Sequence, residues 1–456
     1  MCPYTPPSVD AGSLESSYIA LFKAGDVRAI KLWNHARDLV YAGLLTWDDV
    51  AKFANDVMAA DTLAFYFNHD DYFNIAEVAS ILNSANITPS KVVQVLASPC
   101  LDGARVDSIL SHENLGADRL QQILYEAAFN SELVEALTKG AGDLTVSSDT
   151  SISGVNRYST LTVESGVTLT VNGQPGALIV KTLNNNGTIA KSPTGGSPGT
   201  AGEGGGRGGQ GGGGIVIFAS SLNSSGVIHA DGEDGQPGST TTTGRWGSKG
   251  GAGAFFRVGT DAPGTGGDGA YDSTIPESKG AGGVNGGGGG GFSDTRYGGD
   301  GDGSTLTDFS SYSDLADEIR KAVIDWVIVN IFGKSPTSTV SIPNVYGSGG
   351  GGGAVASGTG CCGGGGGGGG EILALCVELD NTGTIRANGG VGGDGGTEGA
   401  KDNEGGGGGG GIVYVLYKTL VSTGTLQADG GAAGTGDSND TAAVAGAAGM
   451  AKAEAV

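Results

Sequence analysis

Eight consecutive glycines, Gly363–Gly370, lead into the apolar run Ile372-Leu373-Ala374-Leu375-Cys376-Val377. The junction recurs. Gly211–Gly214 run into Ile215-Val216-Ile217-Phe218, and Gly405–Gly411 into Ile412-Val413-Tyr414-Val415-Leu416. Each strand-like run is followed by one phrase, a Leu four residues before a Gly and an Ile or Leu two after it. Leu222, Gly226 and Ile228 fit it, as do Leu379, Gly383 and Ile385, and Leu420, Gly424 and Leu426. Leu183, Gly187 and Ile189 form a further copy, after Leu178-Ile179-Val180 and without a long glycine run. Polyglycine and β-strand are therefore coupled in an internal repeat, and such repeats build scaffolds that present surfaces.

Ordering glycine costs more backbone entropy than ordering any other residue, so glycine content of this kind by itself reads as disorder. Apolar runs held at fixed offsets from the glycines argue against that. Residues 1–140 contain six of the 91 glycines, which sets a compositional break near Gly140. Collagen is excluded, because no strict Gly-X-Y period exists and Pro totals only 13.

Upstream of the break a 14-residue period is visible. Val78-x-x-Ile81-Leu82 recurs as Val92-x-x-Val95-Leu96, Val106-x-x-Ile109-Leu110 and Leu120-x-x-Ile123-Leu124. Positions i, i+3 and i+4 share one helix face, so each unit reads as a short helix with a buried stripe. Thr88-Pro89 and Asp102-Gly103 supply caps and first-turn residues. Helices this short are unstable alone and must stack. Residues 14–70 also read as helical, with a cap at Thr46.

Downstream, Leu144-Thr145-Val146, Leu161-Thr162-Val163 and Val167–Val171 alternate as half-buried strands do. Such short strands suit a parallel β-solenoid or a small sandwich. Asn184-Asn185-Asn186-Gly187 is turn chemistry, and Ala230-Asp231-Gly232, Ala387-Asn388-Gly389 and Ala428-Asp429-Gly430 read as one turn used three times. Polyglycine can form an extended three-residue-per-turn helix, and only glycine lets such helices approach closely enough to bond through their backbones. The runs Gly204–Gly214, Gly286–Gly291, Gly349–Gly353, Gly363–Gly370 and Gly405–Gly411 are expected to be neighbours in a bundle of that kind.

The expected fold is thus multidomain, α plus all-β: a short-helix repeat array, then a glycine-rich β-solenoid or sandwich with polyglycine-II-like helices. The expected regions are 1–72, helical; 73–142, 14-residue repeats; 143–231, strands; 232–362, an insertion with one helix at 313–332; 363–436, strand and polyglycine repeats; and 437–456, an Ala/Gly-rich tail.

Net charge is −23, which argues against nucleic acid as a partner. No secretory signal is visible at the N-terminus, and no apolar stretch is long enough to span a membrane. The five cysteines form no CxxC and no zinc spacing; Cys361-Cys362 reads as two free thiols or a strained vicinal bridge. Catalytic motifs are nearly absent, and glycine strings such as Gly202-Glu203-Gly204-Gly205-Gly206 match dinucleotide fingerprints by abundance alone. No catalytic residue and no cofactor is expected. Asp300-Gly301-Asp302-Gly303 resembles the start of a calcium loop, with Ser311 where Glu is needed, and Asp231-Gly232-Glu233-Asp234 is a similar acidic cluster. Candidate receptor contacts are the insertion aromatics Trp246, Phe255, Phe256, Tyr271, Phe292, Tyr297 and Tyr346.

The pattern of glycine run, apolar strand and Ser/Thr-Gly-Thr-Ile resembles glycine-rich tail fibres, spikes and adhesins of phages and archaeal viruses, over about residues 144–436. The resemblance implies β-solenoid or polyglycine-helix bundles whose tip loops bind a host surface glycan or protein. It implies a non-enzymatic virion surface protein, held to sibling subunits and other virion proteins through its helical region. The alternatives are a cellular surface filament or adhesin subunit, and a β-solenoid carbohydrate-active enzyme with paired carboxylates.

Overall fold

The structure, a computed structural model, describes residues 16–193, 206–238, 250, 315–337, 362–395, 404–436 and 443–456. These fall into two compact units. One is helical and comprises residues 16–143, 157–159 and 323–337 of those described. The other comprises the remainder and is built on a sheet.

In the helical unit, α1 (Ser16–Ala24), a 3-10 helix (Val27–His35) and α2 (Ala36–Tyr41) precede α3 (Trp47–Val57), α4 (Ala60–Phe67), α5 (Ile75–Asn83), α6 (Pro89–Ala97), α7 (Gly103–Ser111), α8 (Ala117–Glu126) and α9 (Ser131–Leu137). From α5 onward each helix starts 14 residues after the last, and the spacing reaches back to α3, before the expected onset at Phe73. The earlier start escapes the Val-x-x-Ile-Leu pattern because small or aromatic residues fill the same positions. Val50, Phe53 and Ala54 are buried in α3, and Ala64 and Phe67 in α4.

Helices pack on their next-but-one neighbours: α3 on α5, α5 on α7, α7 on α9, and α4 on α6, α6 on α8. Polar groups tie the ends together across three helices. Asn55, Asn68 and Asn83 accept the backbone N–H of Thr88, Asp102 and Gly116 at 3.0, 2.9 and 2.9 Å. Arg105 donates to the carbonyls of Phe67 and Phe73, and Arg119 to those of Leu82 and Ile87. These orphan helix-end groups are thereby satisfied. Thr88 caps α6 as expected, whereas the Asp102 side chain makes no cap bond and accepts from Asn68 instead.

The helix expected at 313–332 is α10 (Leu315–Phe332), ended by Gly333 at φ 66°. Its C-terminal half belongs to the helical unit. Gln121 donates to Asp325, Lys334 to the carbonyls of His112 and Leu115, and Thr337 to Asp118. No described helix is long and apolar enough to cross a membrane.

The sheet unit contains β1 (Leu144–Val146), β2 (Thr150–Val163), β3 (Thr168–Asn185), β4 (Thr188–Lys191), β5 (Gly214–Ser224), β6 (Val227–His229), β7 (Glu371–Asn381), β8 (Thr384–Arg386), β9 (Ile412–Ser422), β10 (Thr425–Gln427) and β11 (Met450–Ala455). They form one sheet of order β10-β8-β6-β4-β3-β5-β7-β9-β11, with β2 on β3 and β1 on β2. Every pairing of known register is parallel. A sandwich assembled from antiparallel hairpins is therefore not what these strands make.

The sequence phrase is the register. Leu183 lies beside Leu222, Leu222 beside Leu379 and Leu379 beside Leu420. Ile189, Ile228, Ile385 and Leu426 align in the short strands. The phrase glycines stack at the corner between long and short strand: a Cβ on Gly226 would overlap the Gly187 carbonyl, and one on Gly383 the Gly226 carbonyl. The first halves of β5 and β7 are buried on both faces, so they read as continuous apolar runs; their second halves alternate.

Each layer consists of a leading glycine segment, a long strand, a short strand and a trailing extended segment. The layers are 206–238, 362–395 and 404–436. Three of the five expected glycine runs are indeed bonded to one another; Gly286–Gly291 and Gly349–Gly353 lie outside the described residues. Bonds recur every third residue. Gly206, Gly209 and Gly212 donate to Cys362, Gly365 and Gly368, while Gly366 and Gly369 donate to Gly406 and Gly409. Gly364, Gly367 and Gly370 donate to Gln236, Glu233 and Ala230 of the layer before.

This bonding explains why the middle run is pure glycine. A Cβ on Gly364, Gly367 or Gly370 would strike the carbonyls of Arg207, Gln210 and Gly213, and one on Gly363, Gly366 or Gly369 those of Gly393, Gly390 and Ala387. The first layer has fewer neighbours and tolerates side chains. Arg207, Glu233 and Gln236 are exposed there, whereas Gly390 and Gly393, the counterparts of the latter two, would overlap those residues' carbonyls if they carried a Cβ.

Gly366→Ala is expected to destabilise the sheet unit by at least about 3 kcal/mol, because the methyl meets backbone that cannot retreat. Gly142→Ala, with nothing within 4 Å of the new Cβ, should stay within about 0.5 kcal/mol. Thermal unfolding of the two variants checks this, and equal melting temperatures would refute the packing account.

Candidate functional site

All nine sequence candidates, Trp246, Phe255, Phe256, Tyr271, Phe292, Tyr297 and Tyr346 together with Asp300 and Asp302, lie outside the described residues. The second acidic cluster lies within them, and its carboxylates are engaged by backbone. Asp231 Oδ1 accepts the N–H of Asn388 at 2.8 Å, and Asp234 Oδ1 that of Val391 at 2.7 Å. Among the described residues no group of three His, Cys, Asp or Glu side chains is placed to hold a metal ion.

The three Ala-Asp/Asn-Gly sequences are not turns. They open extended segments, and their Asx side chains bridge layers. Asn388 Oδ1 accepts from Asp429 N–H at 2.8 Å, as Asp231 does from Asn388. Asp394 accepts from Thr435 N–H in the same way. Donor accounting gives the reason. In the trailing segment 387–395, Gly389, Gly392 and Gly395 donate to the next layer, and Gly390 and Gly393 to the glycine run of their own layer. The N–H groups of Asn388 and Val391 point back to the previous layer, where only a side-chain oxygen reaches them.

Asp231 also accepts from Arg386 Nε at 2.8 Å and lies 3.2 Å from His229 Nδ1. Burial opposes its charge, but the bonds from His229 and Asn388 and the nearby Arg386 outweigh that and hold its pKa below the ordinary 3.8. A depressed carboxylate stabilises the fold above its unfolded pKa and loses that contribution as pH falls through the folded value.

The sheet unit's corner, where long strands pass into short ones, carries a polar array. Asn184, Asn223 and Asp380 align across layers, and Asn186, Ser225 and Thr382 sit two residues on. These six line a cleft of about 330 Å³. Asn223 Nδ2 donates to Asn184 Oδ1 at 3.1 Å, and Ser221 Oγ to Asn223 Oδ1 at 3.1 Å. Ser225 Oγ donates to Asn186 Oδ1 at 2.9 Å. The residues between point inward: Asn185 and Asn381 are fully buried, and Asn185 Nδ2 reaches Ser224 Oγ and the Val227 carbonyl. Sequence reading took Asn184-Asn185-Asn186 for turn chemistry. The signal for an array was the recurrence of a polar triplet before the phrase glycine: Asn223-Ser224-Ser225 and Asp380-Asn381-Thr382.

Of the described cysteines, Cys100 is disulfide-bonded, and Cys362 and Cys376 are buried free thiols. Burial pushes the Cys376 thiol up to about 12, so it is an inert core residue. Comparison with protein-family models, curated proteins and solved structures gives no match.

Asp231→Asn keeps an oxygen for the Asn388 N–H, as Asn388 itself does for Asp429, but removes the charge facing Arg386. The variant is expected to be about 1 kcal/mol less stable at neutral pH, with the gap closing as pH drops below 3.8. Unfolding curves across pH measure it; a gap that persists at low pH would show that the charge is not responsible.

Proposed function

We propose that this chain is a structural protein of a virion surface, a tail fibre, spike or turret subunit that attaches the particle to its host and carries out no catalysis of its own. The single observation that supports this reading is the bonding of glycine segments at every third residue, coupled to parallel strands held in register. In this reading the trailing and leading segments are polyglycine-II helices, the strands form a β-solenoid, and the helices spaced by 14 residues are a repeat array that joins sibling subunits and other virion proteins. Such a stack is stiff because each layer is bonded to the next through backbone, and stiffness is what a projection requires. The aromatics of residues 232–362 are its contact surface for a host glycan or protein.

The helical assignment of the glycine runs has its own test. Amide exchange of Gly363–Gly370 should be slowed to the level of β7, since backbone bonds buried in a cooperative unit open only with that unit. Exchange at the rate of a free linker would overturn the bundle. Location is tested by immunogold labelling of purified particles with antibody to residues 232–362. Label on particle projections is the expected result. Label on cell-surface filaments and none on particles would favour an adhesin subunit and overturn the virion assignment.

A further inference from the structure

We infer that the polar corner cleft is a binding site for a neutral oligosaccharide, engaged through its hydroxyl groups. The inference rests on the reading of the stack as a surface-presenting scaffold, and it places recognition on the stack itself.

The argument is one of unused hydrogen-bonding capacity. Within the cleft the amide oxygens of Asn184, Asn186 and Asn223 all accept bonds from neighbouring side chains. The Nδ2 groups of Asn184 and Asn186 have no protein acceptor among the described residues, and neither Asp380 oxygen has a protein donor there. The site therefore offers amide donors and one carboxylate that can only accept. A ligand that fits must supply acceptors to the amides and donors to the carboxylate, side by side. Sugar hydroxyls do both, and two adjacent hydroxyls can donate to the two oxygens of one carboxylate in charge-assisted bonds. The Thr162 and Thr382 hydroxyls on the cleft wall add groups that donate or accept.

The same inventory disfavours the competing ligands. A calcium ion takes six to eight oxygens, and the amide oxygens here are occupied. Phosphate, sulfate or an acidic sugar meets the Asp380 charge with no Lys or Arg on the cleft wall. An apolar ligand would strip water from amides and carboxylate without replacing its bonds. The row crosses three successive strands, about 4.8 Å apart, which suits an extended chain of sugar units better than a single one.

The test uses the full chain on an array of neutral, sialylated and sulfated glycans, with affinities for the neutral hits measured by titration calorimetry. Binding of neutral glycans is expected. Asp380→Asn, which preserves shape and disturbs no hydrogen bond among the described residues, should weaken it about tenfold or more with an unchanged melting temperature. Asn186→Ala should weaken it as well. Failure to bind any neutral glycan, binding confined to anionic glycans, or equal affinity in Asp380→Asn would each overturn the site. Particle labelling reads location and not binding, so the virion assignment and this site can fail independently.

Discussion

Backbone-to-backbone hydrogen bonding between glycine segments is the constraint on which the sheet unit depends. The bonds require an approach so close that a single methyl on either of two faces of the middle run would overlap a carbonyl. Glycine is therefore demanded by space, not merely tolerated. The requirement is graded by depth. The run with bonded neighbours in the layers before and after it is eight glycines long, while the first layer admits Arg207, Gln210, Glu233 and Gln236.

Magnitudes explain why the glycine runs never occur without strands. Ordering one residue costs roughly 1–2 kcal/mol of backbone entropy, and a net hydrogen bond returns about 1 kcal/mol. Glycine segments with one or two bonds per residue are near balance at best. The strands tip it, because each buried Ile, Leu or Val contributes about 1.5–3 kcal/mol. Ile215, Ile217, Ile372, Leu375 and Val413, among others, are buried next to the junctions. The apolar ladder sets the register, and the glycine segments inherit it. The Asx bridges complete the arrangement by serving the N–H groups that no carbonyl reaches.

Much of this was legible before any coordinates. The phrase Leu-x-x-x-Gly-x-Ile is periodic because each of its positions meets its own copy in the next layer, so alignment of copies in sequence is alignment in space. The helix spacing is legible for the same reason from Phe73 onward. It fades toward α3 and α4, where Phe53, Ala54 and Ala64 replace Ile, Leu and Val in the stripe. The Ala-Asp-Gly segments were misjudged because Asp and Gly favour turns locally, and the sequence does not display the neighbouring N–H that claims the carboxylate.

The sequence by itself determined the repeating unit: which residues are apolar, where side chains are missing, and at what offset one follows the other. Local chemistry and periodicity carry that information, since they concern residues near in the chain. Only the tertiary structure decided that the strands pair in parallel, that a helix begun at Leu315 sends its second half to helices some 200 residues earlier, and that Asn184, Asn223 and Asp380 share one cleft. Each depends on contacts between segments far apart in sequence. Many such pairings would bury similar apolar area, and the choice among them rests on shape and on the satisfaction of every buried N–H.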